Sequence, residues 1–174
     1  MRKTKRLILT RHAKSAWGDP SISDHDRSLN NRGREASPLV GAWLAEQGYV
    51  PDQVLCSTAM RTQETWALMA PVLAADLTPN LVADLYHASE STLLRVLQHA
   101  TGQTVLVLSH NPGIGLFAQD IAQTAPDHPK FDQYPTAATL VVDFDIPSWQ
   151  NLSPGTGQVQ DFIVPRDLPG YPQH

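Results

Sequence analysis

The segment LILTRHAKSAWGDP (residues 7–20) joins a short apolar run to an abrupt polar end. The apolar residues predict a buried β-strand over residues 6–10. Arg11 and His12 follow that strand directly, and Lys14 comes just after them. Because charged and imidazole side chains are rarely core residues, a buried strand that ends on them indicates a ligand site.

The composition limits the classes of protein to which this chain can belong. It has 174 residues, of which 41% are hydrophobic, and this is enough for one domain with a sizeable core. Its formal net charge of −4 at pH 7 gives no basic field, so we expect neither nucleic acid nor a membrane as a partner. The apolar run near the N-terminus is too short for a signal peptide or a membrane span. With a single cysteine and no export signal, we expect a cytoplasmic protein without disulfides.

Strand-like and helix-like patterns alternate along the chain. The predicted strands cover residues 6–10, 53–56, 81–85, 104–109 and 137–144, with a weaker sixth near residues 158–164. Segments of helical period lie between them, so the alternation predicts an α/β fold with a mainly parallel sheet covered on both faces. The prolines after residue 144 predict an irregular C-terminal tail, in which the sixth strand is an edge strand.

Four helices are predicted from apolar stripes and terminal residues. Pro38, inside the first helical pattern, predicts a late start or a kink. Ser89 is a favourable N-cap for the third helix. Asn111 and Pro112 suit the N-cap and the first position of the fourth helix.

Polar residues collect at one predicted edge of this sheet. In open α/β sheets, ligands bind outside the carboxyl ends of the strands. The first strand ends in Arg11 and His12. The second leads into a helix whose first turn holds Arg61, and the fourth ends just before His110. The sequence therefore predicts two arginines and two histidines at the same edge.

These residue types suit a tetrahedral dianion such as phosphate. Arginine presents a fixed fork of N–H donors that matches phosphate oxygens, and a helix N-terminus adds unpaired backbone donors. A neutral imidazole can attack phosphorus, which divides hydrolysis into phosphorylation of the enzyme and dephosphorylation by water. Neighbouring cations lower the pKa of such an imidazole and keep it unprotonated. We select His12 as the nucleophile because Arg11 beside it already marks a binding position.

Four stretches of the chain resemble the successive signatures of one family. They are LTRHAKSAW (residues 9–17), SDHDRSLNNRGREA (23–36), VLCSTAMRTQET (54–65) and VLVLSHNPGIG (105–115). Over about residues 6–144 the chain is similar to the histidine phosphatase superfamily, which has the phosphoglycerate-mutase-like fold, and within it to the small SixA-type phosphohistidine phosphatases. The resemblance implies a three-layer α/β/α sandwich and no metal. From the length we expect one domain over residues 1–174, with its core in about residues 6–144, and we expect no cofactor.

The resemblance also implies a role for each residue at the predicted edge. His12 becomes the phosphorylated nucleophile, Arg11 and Arg61 grip the phosphoryl oxygens, and His110 stabilises the transferring group. Arg27 lies in a stretch similar to the family's DRPLxxxG segment. There it adds a phosphate contact, closes the pocket, or is an exposed loop cation.

The chain departs from the family pattern in three places. Ala13 follows the catalytic histidine, where many members have glycine. Gly18 stands where mutase-type members carry asparagine, which argues against a sugar-phosphate mutase. Larger members supply a carboxylate as general acid after the third strand, and the candidates here are Asp84 and Glu90. We prefer Asp84 because it lies at a predicted strand end, although a plain surface carboxylate is an equal alternative.

The pattern predicts a phosphatase with a covalent phosphohistidine intermediate. Short connections leave little chain for a lid, so we expect a shallow pocket open to a protein surface. The expected substrate is phosphohistidine in a protein, such as a histidine phosphotransfer domain, because its leaving nitrogen depends less on a general acid. Two alternatives stay open: a small-molecule phosphomonoester phosphatase at the same site, and a phosphate-binding module without catalysis.

Three other motifs are weaker signals of function. Cys56 and Arg61 are one residue too close for the C-x5-R loop of cysteine-dependent phosphatases. The stretch GIGLFA (residues 113–118) fits a dinucleotide fingerprint, but the acidic residue expected about 20 positions later is missing. The segment SDHDR (residues 23–27) offers adjacent metal-ligand types without a partner cluster, so we interpret it as a solvated loop.

Overall fold

The computed structural model describes residues 4–74 and 76–172, and its centre is a six-stranded sheet. The strands are β1 (Lys5–Arg11), β2 (Gln53–Ser57), β3 (Asn80–Val82), β4 (Thr104–Ser109), β5 (Thr139–Phe144) and β6 (Gln158–Ile163). Their order across the sheet is β3-β2-β4-β1-β5-β6. The first four strands in this order are parallel to one another, whereas β5 is antiparallel to β1, and β6 is antiparallel to β5.

Four helices cover the two faces of the sheet. They are α1 (Asn31–Glu46), α2 (Met60–Leu73), α3 (Glu90–Gln98) and α4 (Gly113–Ile121). Val40 of α1 and Met69 of α2 pack on one face, against Ile8. Leu93 of α3 and Phe117 of α4 belong to the other face, together with the β1 residues on either side of Ile8. Since alternate residues of β1 enter opposite layers, the strand is apolar on both faces, as expected for a parallel sheet between two helical layers. The predicted three-layer α/β/α sandwich is confirmed.

The structure corrects two helix starts. The first helix begins at Asn31, where Asn30 caps it by accepting a hydrogen bond from the backbone N–H of Gly33 at 2.9 Å, so the late start predicted from Pro38 is wrong. The fourth helix begins at Gly113, and Asn111 is not its cap. The N-cap at Ser89 is confirmed, because its hydroxyl accepts from the backbone of the third helix.

The third strand is shorter than predicted. It ends at Val82, and residues 83–85 form a 3-10 turn that buries Leu85 against α3 and α4. The weak sixth strand is present at the sheet edge. Among the described residues, no helix combines the length and the apolar character needed to cross a membrane.

Candidate active site

The carboxyl ends of β1, β2 and β4 lie side by side in the sheet and bring the predicted residues together. Arg11 pairs in register with Ser109, so His12 and His110 leave adjacent strands at the same level. The backbone N–H of His12 donates to the Ser109 carbonyl at 3.2 Å, and the two imidazole centroids are 5.2 Å apart. Arg61 reaches both rings from the first turn of α2. The expected convergence at this edge is therefore confirmed for these residues.

A hydrogen bond from one ring nitrogen orients His12 and leaves the lone pair on the other nitrogen. Its Nδ1 lies 2.7 Å from the Ala13 carbonyl, which assigns the ring proton to Nδ1 and leaves the lone pair on Nε2. Burial lowers the pKa of His12 to about 3, and the charges of Arg11, Arg61 and Arg27 add to this effect against the opposing hydrogen bond to Ala13. The imidazole is therefore neutral at physiological pH, with its lone pair on the side facing Arg61.

Arg61 is the centre of the cluster. This buried guanidinium donates from Nε to His12 Nε2 at 3.4 Å, and its Nη2 lies 3.3 Å from His110 Nδ1. Nη1 donates to the Asp24 carbonyl at 2.7 Å, and Nη2 also donates to the Asp24 carboxylate at 3.2 Å. His87 Nε2 lies 3.3 Å from the same Nη2. One cation thus contacts three histidines and the Asp24 carboxylate.

His110 is fixed between two partners. Since its Nδ1 faces an Arg61 N–H, the ring proton is assigned to Nε2, which lies 2.8 Å from Ser57 Oγ. Burial, together with the nearby His12, Arg61 and His87, lowers the pKa of His110 to about 2 against the opposing charge of Asp24. His110 is therefore a neutral, oriented imidazole in the absence of a ligand.

Arg11 completes the set of predicted cations with part of its donor capacity unused. Its Nη1 donates to the Tyr134 carbonyl at 3.2 Å. Its Nε is buried and has no hydrogen-bond partner within the described part of the chain. Burial lowers the pKa of Arg11, as does the charge of Arg61. A buried donor of this kind is destabilising unless a ligand pairs with it.

Arg27 lies at the site together with Asp24, which was predicted to lie in a solvated loop. Arg27 donates twice to Asp24 Oδ1, at 3.1 Å and 2.9 Å, and once to Ser15 Oγ at 2.7 Å. Asp24 Oδ2 accepts from Arg61 and from the Tyr86 hydroxyl. Although desolvation opposes the effect, the hydrogen bonds from Tyr86 and Arg27 and the charge of Arg61 hold the pKa of Asp24 well below its usual range. The interpretation of residues 23–27 as a solvated loop is wrong for Asp24.

The connection between β3 and α3 contributes two further residues that sequence reasoning missed. Tyr86 and His87 stack on each other with centroids 4.1 Å apart, and both present their rings edge-on to His110. The adjacent Ala88 carbonyl approaches Gly113 so closely that a Cβ there would lie 1.7 Å away. The glycines of residues 113–118 therefore serve close packing, and the dinucleotide interpretation has no support. The only signal for His87 was its proximity in sequence to the proposed general acid.

The structure does not bring Asp84 into this site. Its carboxylate pairs with Arg95 at 3.3 Å, and its side chain is 67% exposed. The prediction assumed a strand through residue 85, whereas the 3-10 turn after β3 leaves Asp84 at the sheet edge. The prediction that Asp84 is the general acid is therefore wrong. His87, three residues later, is the ionisable group of this connection that reaches Arg61. Cys56 is buried and its pKa is raised by burial to about 12, so it is not a thiolate nucleophile.

The carboxyl edge of the sheet carries a neutral buried imidazole, a second imidazole and three guanidinium groups. These are residue types that suit a phosphoryl group. The model of the histidine phosphatase superfamily (branch 1) matches residues 7–85. The uncharacterized protein ML1117 of Mycobacterium leprae is 32% identical over 168 residues, which cover 90% of this chain and 99% of that protein. The chain belongs to the histidine phosphatase superfamily.

Solved structures show which branch of the superfamily this chain resembles. A protein provisionally designated phosphohistidine phosphatase SixA, from Nakamurella multipartitia, superposes with a TM-score of 0.76 at 26% identity, over 93% of this chain and 96% of that one. A protein with the same provisional designation from Agrobacterium tumefaciens gives 0.73 at 25% identity, over 92% and 97%. The chain therefore has the phosphoglycerate-mutase-like fold and groups with the SixA-type branch.

Proposed function

We propose that this protein is a metal-independent phosphatase that forms a phosphohistidine intermediate on His12 and removes phosphate from phosphohistidine in proteins. The observation that carries the proposal is the Nε2 lone pair of His12, on a neutral ring, 3.4 Å from the Arg61 guanidinium. A nucleophile and a cationic receptor for the phosphoryl oxygens are thus in contact before a substrate arrives.

The first step transfers the phosphoryl group to the protein. The substrate phosphate lies among Arg11, Arg27 and Arg61, whose forks neutralise its oxygens. The Nε2 lone pair of His12 forms a bond to phosphorus while the bond to the leaving nitrogen breaks, and that nitrogen takes a proton from solvent at the open rim of the site. His12 keeps its proton on Nδ1. The Ala13 carbonyl accepts a hydrogen bond from this N–H and stabilises the positive charge that develops on the ring.

The second step returns the nucleophile to its starting state. Water attacks phosphorus, the bond to His12 Nε2 breaks, and its electron pair returns to the ring. The water proton not kept by phosphate passes to solvent. His110 is oriented by Ser57 and accepts a hydrogen bond from an N–H of Arg61, so it acts in both steps by positioning the guanidinium that bears the charge of the transferring group.

The open rim of the site supports a protein substrate. The His87 side chain is 52% exposed, and Trp17, on which the Arg27 guanidinium stacks at 3.6 Å, is 79% exposed. Asp84 lies outside the cluster, and phosphohistidine is the substrate whose leaving group needs a general acid least. The two SixA structures add support, because each is designated a phosphohistidine phosphatase.

Comparative turnover tests this proposal. The purified protein is given a phosphorylated histidine phosphotransfer domain, a phosphoserine peptide and p-nitrophenyl phosphate, each with and without EDTA. We expect the highest kcat/KM for the phosphorylated domain, with no effect of the chelator. Higher kcat/KM for p-nitrophenyl phosphate would instead favour a small-molecule phosphatase. Binding of phosphate without turnover of any substrate would favour a non-catalytic module.

A further inference from the structure

A cavity lies beside the catalytic cluster, and four of the side chains that line it are positively charged. Its volume is about 400 Å³, and its basic residues are Lys14, Arg32, Lys130 and Arg166. The rest of the wall is partly apolar and includes Pro135 and Val164. We call this cavity the basic pocket.

Among the residues that the structure describes, the four cations of the basic pocket have no carboxylate partner. None of them forms a salt bridge within the described part of the chain, and Lys130 contacts only the amide oxygen of Gln133, at 3.4 Å. The chain as a whole has a net charge of −4. Four cations around one concave volume, without a salt bridge to any described residue of this acidic protein, favour an anionic ligand there.

The basic pocket shares a wall with the catalytic site. Lys14 is two residues beyond His12, and Arg11 donates to the carbonyl of Tyr134, whose neighbours Gln133 and Pro135 line the pocket. Two residues of extended chain span about 7 Å, so a peptide whose phosphorylated side chain faces His12 reaches this pocket within a few residues. One bound segment can therefore occupy both places.

The packing of α1 fixes this shared wall. The carbonyl of Lys14 approaches Gly33 so closely that a Cβ there would lie 2.2 Å away, and it accepts a hydrogen bond from the Asn30 backbone at 3.0 Å. The first turn of α1, which carries Arg32, is thereby held against the chain that follows His12. The two sites are coupled by rigid backbone.

We propose that the basic pocket binds an acidic segment of the phosphoprotein substrate, within a few residues of the phosphorylated side chain. This inference rests on the proposed function, because it assigns the substrate's surroundings at the same site. Carboxylates pair with the four cations, and the apolar part of the wall packs against the intervening side chains. The pocket thus selects among phosphoproteins by charge, whereas the catalytic cluster recognises only the phosphoryl group.

The experiment uses four peptides in a two-by-two design. Two carry phosphohistidine and two carry phosphoserine, and within each pair the flanking residues are either Asp and Glu or their neutral amides. We expect kcat/KM for the acidic member of a pair to exceed that for the neutral member about tenfold, since each exposed ion pair contributes only a few-fold. Turnover of p-nitrophenyl phosphate supplies the rate without docking.

Charge reversal in the basic pocket locates the effect. We expect Arg32→Glu, Lys130→Glu and Arg166→Glu to lower the preference for acidic peptides and to leave p-nitrophenyl phosphate turnover unchanged. The matched control is Arg34→Glu, on the same helix as Arg32 and with the same change of charge, because Arg34 lies outside the pocket. The control should keep the preference.

The outcomes separate this inference from the proposed function. If only phosphoserine peptides are hydrolysed, the phosphohistidine substrate is wrong, but the acidic preference within the phosphoserine pair still supports the docking site. Equal kcat/KM within each pair, or equal loss in Arg34→Glu, overturns the docking site. Tight binding of tripolyphosphate without any peptide preference overturns it in favour of a small polyanion. If no peptide is hydrolysed, fluorescence anisotropy with the same peptides decides, and equal Kd values for acidic and neutral members contradict the proposal.

Discussion

The two edges of the sheet use their polar side chains in opposite ways. At the amino edge, the Asp52 carboxylate accepts from the backbone N–H groups of Gln103 and Thr104, both at 3.0 Å. Arg6 forms a double hydrogen bond with Asp143 at 2.7 Å and 2.9 Å. These polar groups are saturated by backbone and by opposite charge.

At the carboxyl edge, like groups face one another. The buried Arg61 lies against His12 and His110, and Arg11 keeps a buried donor without a partner in the described part of the chain. Burial and neighbouring cations lower the pKa values of both histidines. The amino edge therefore stabilises the fold through paired polar groups, whereas the carboxyl edge carries two desolvated histidines and an Arg11 donor without a described partner, which oppose folding. Substitutions should therefore separate stability from activity.

The largest expected effect is from His12→Ala, which tests whether the two edges have separate roles. Removing the nucleophile should lower kcat about ten-thousand-fold. The free energy of unfolding should change by less than about 1 kcal/mol. The substitution removes favourable packing, but it also removes the unfavourable desolvation of the imidazole, so the two changes oppose each other. Steady-state turnover and urea denaturation measure the two quantities. A large loss of stability in this variant would contradict the contrast between the edges.

Arg61→Lys should have the next largest effect. Lysine keeps the charge but loses the planar fork that contacts His12, His110 and Asp24 together, so we expect kcat/KM to fall about a hundredfold or more. Circular dichroism serves as the control for folding. A decrease of less than threefold would show that charge alone is sufficient at this position.

The pH dependence of stability sharpens the comparison. His110 has a pKa of about 2 in the folded protein against an ordinary value of 6.5, so the unfolded chain binds the proton first as the pH falls. The contribution of His110 to the free energy of unfolding is constant above pH 6.5. As the pH falls from 6.5 towards 2, this contribution becomes increasingly destabilising. In His110→Gln, the slope of unfolding free energy between pH 6 and 4 should decrease by up to about 1.4 kcal/mol per pH unit. An unchanged slope would contradict a buried neutral histidine.

The smallest effect is expected at the amino edge. Asp52→Ala removes acceptors from two backbone N–H groups near the surface, so the free energy of unfolding should fall by about 1 kcal/mol. The value of kcat/KM should stay within twofold of the wild type. Thermal denaturation and turnover of one small ester measure both. A tenfold loss of activity in this variant would contradict the claim that the amino edge contributes to stability and not to activity.

The central residues of the site could be predicted because they depend on few structural choices. Arg11 ends a buried apolar strand, and His12 and His110 each directly follow one; the carboxyl ends of parallel strands share one edge. Arg61 was also accessible, because it lies in the first turn of the helix after β2. The family resemblance named the same four residues, and the structure brings them together.

The rest of the site depends on loop paths that local sequence does not determine. Asp24 enters the cluster because the segment before α1 turns back over the strand ends, where Arg27 and Arg61 hold its carboxylate. Asp84 was a wrong prediction because β3 ends at Val82 and the following turn redirects the chain. That same turn brings His87 to Arg61, a contact made by tertiary packing rather than by strand periodicity.

Trapping the covalent intermediate tests the central claim most directly. The protein is mixed briefly with substrate carrying ³²P in the phosphoryl group, denatured in alkali, and mapped by proteolysis and mass spectrometry. We predict label on His12 alone, stable in alkali and lost in acid, and absent from His12→Ala. Label on another residue, or undiminished label in His12→Ala, would contradict the assignment of His12 as the nucleophile.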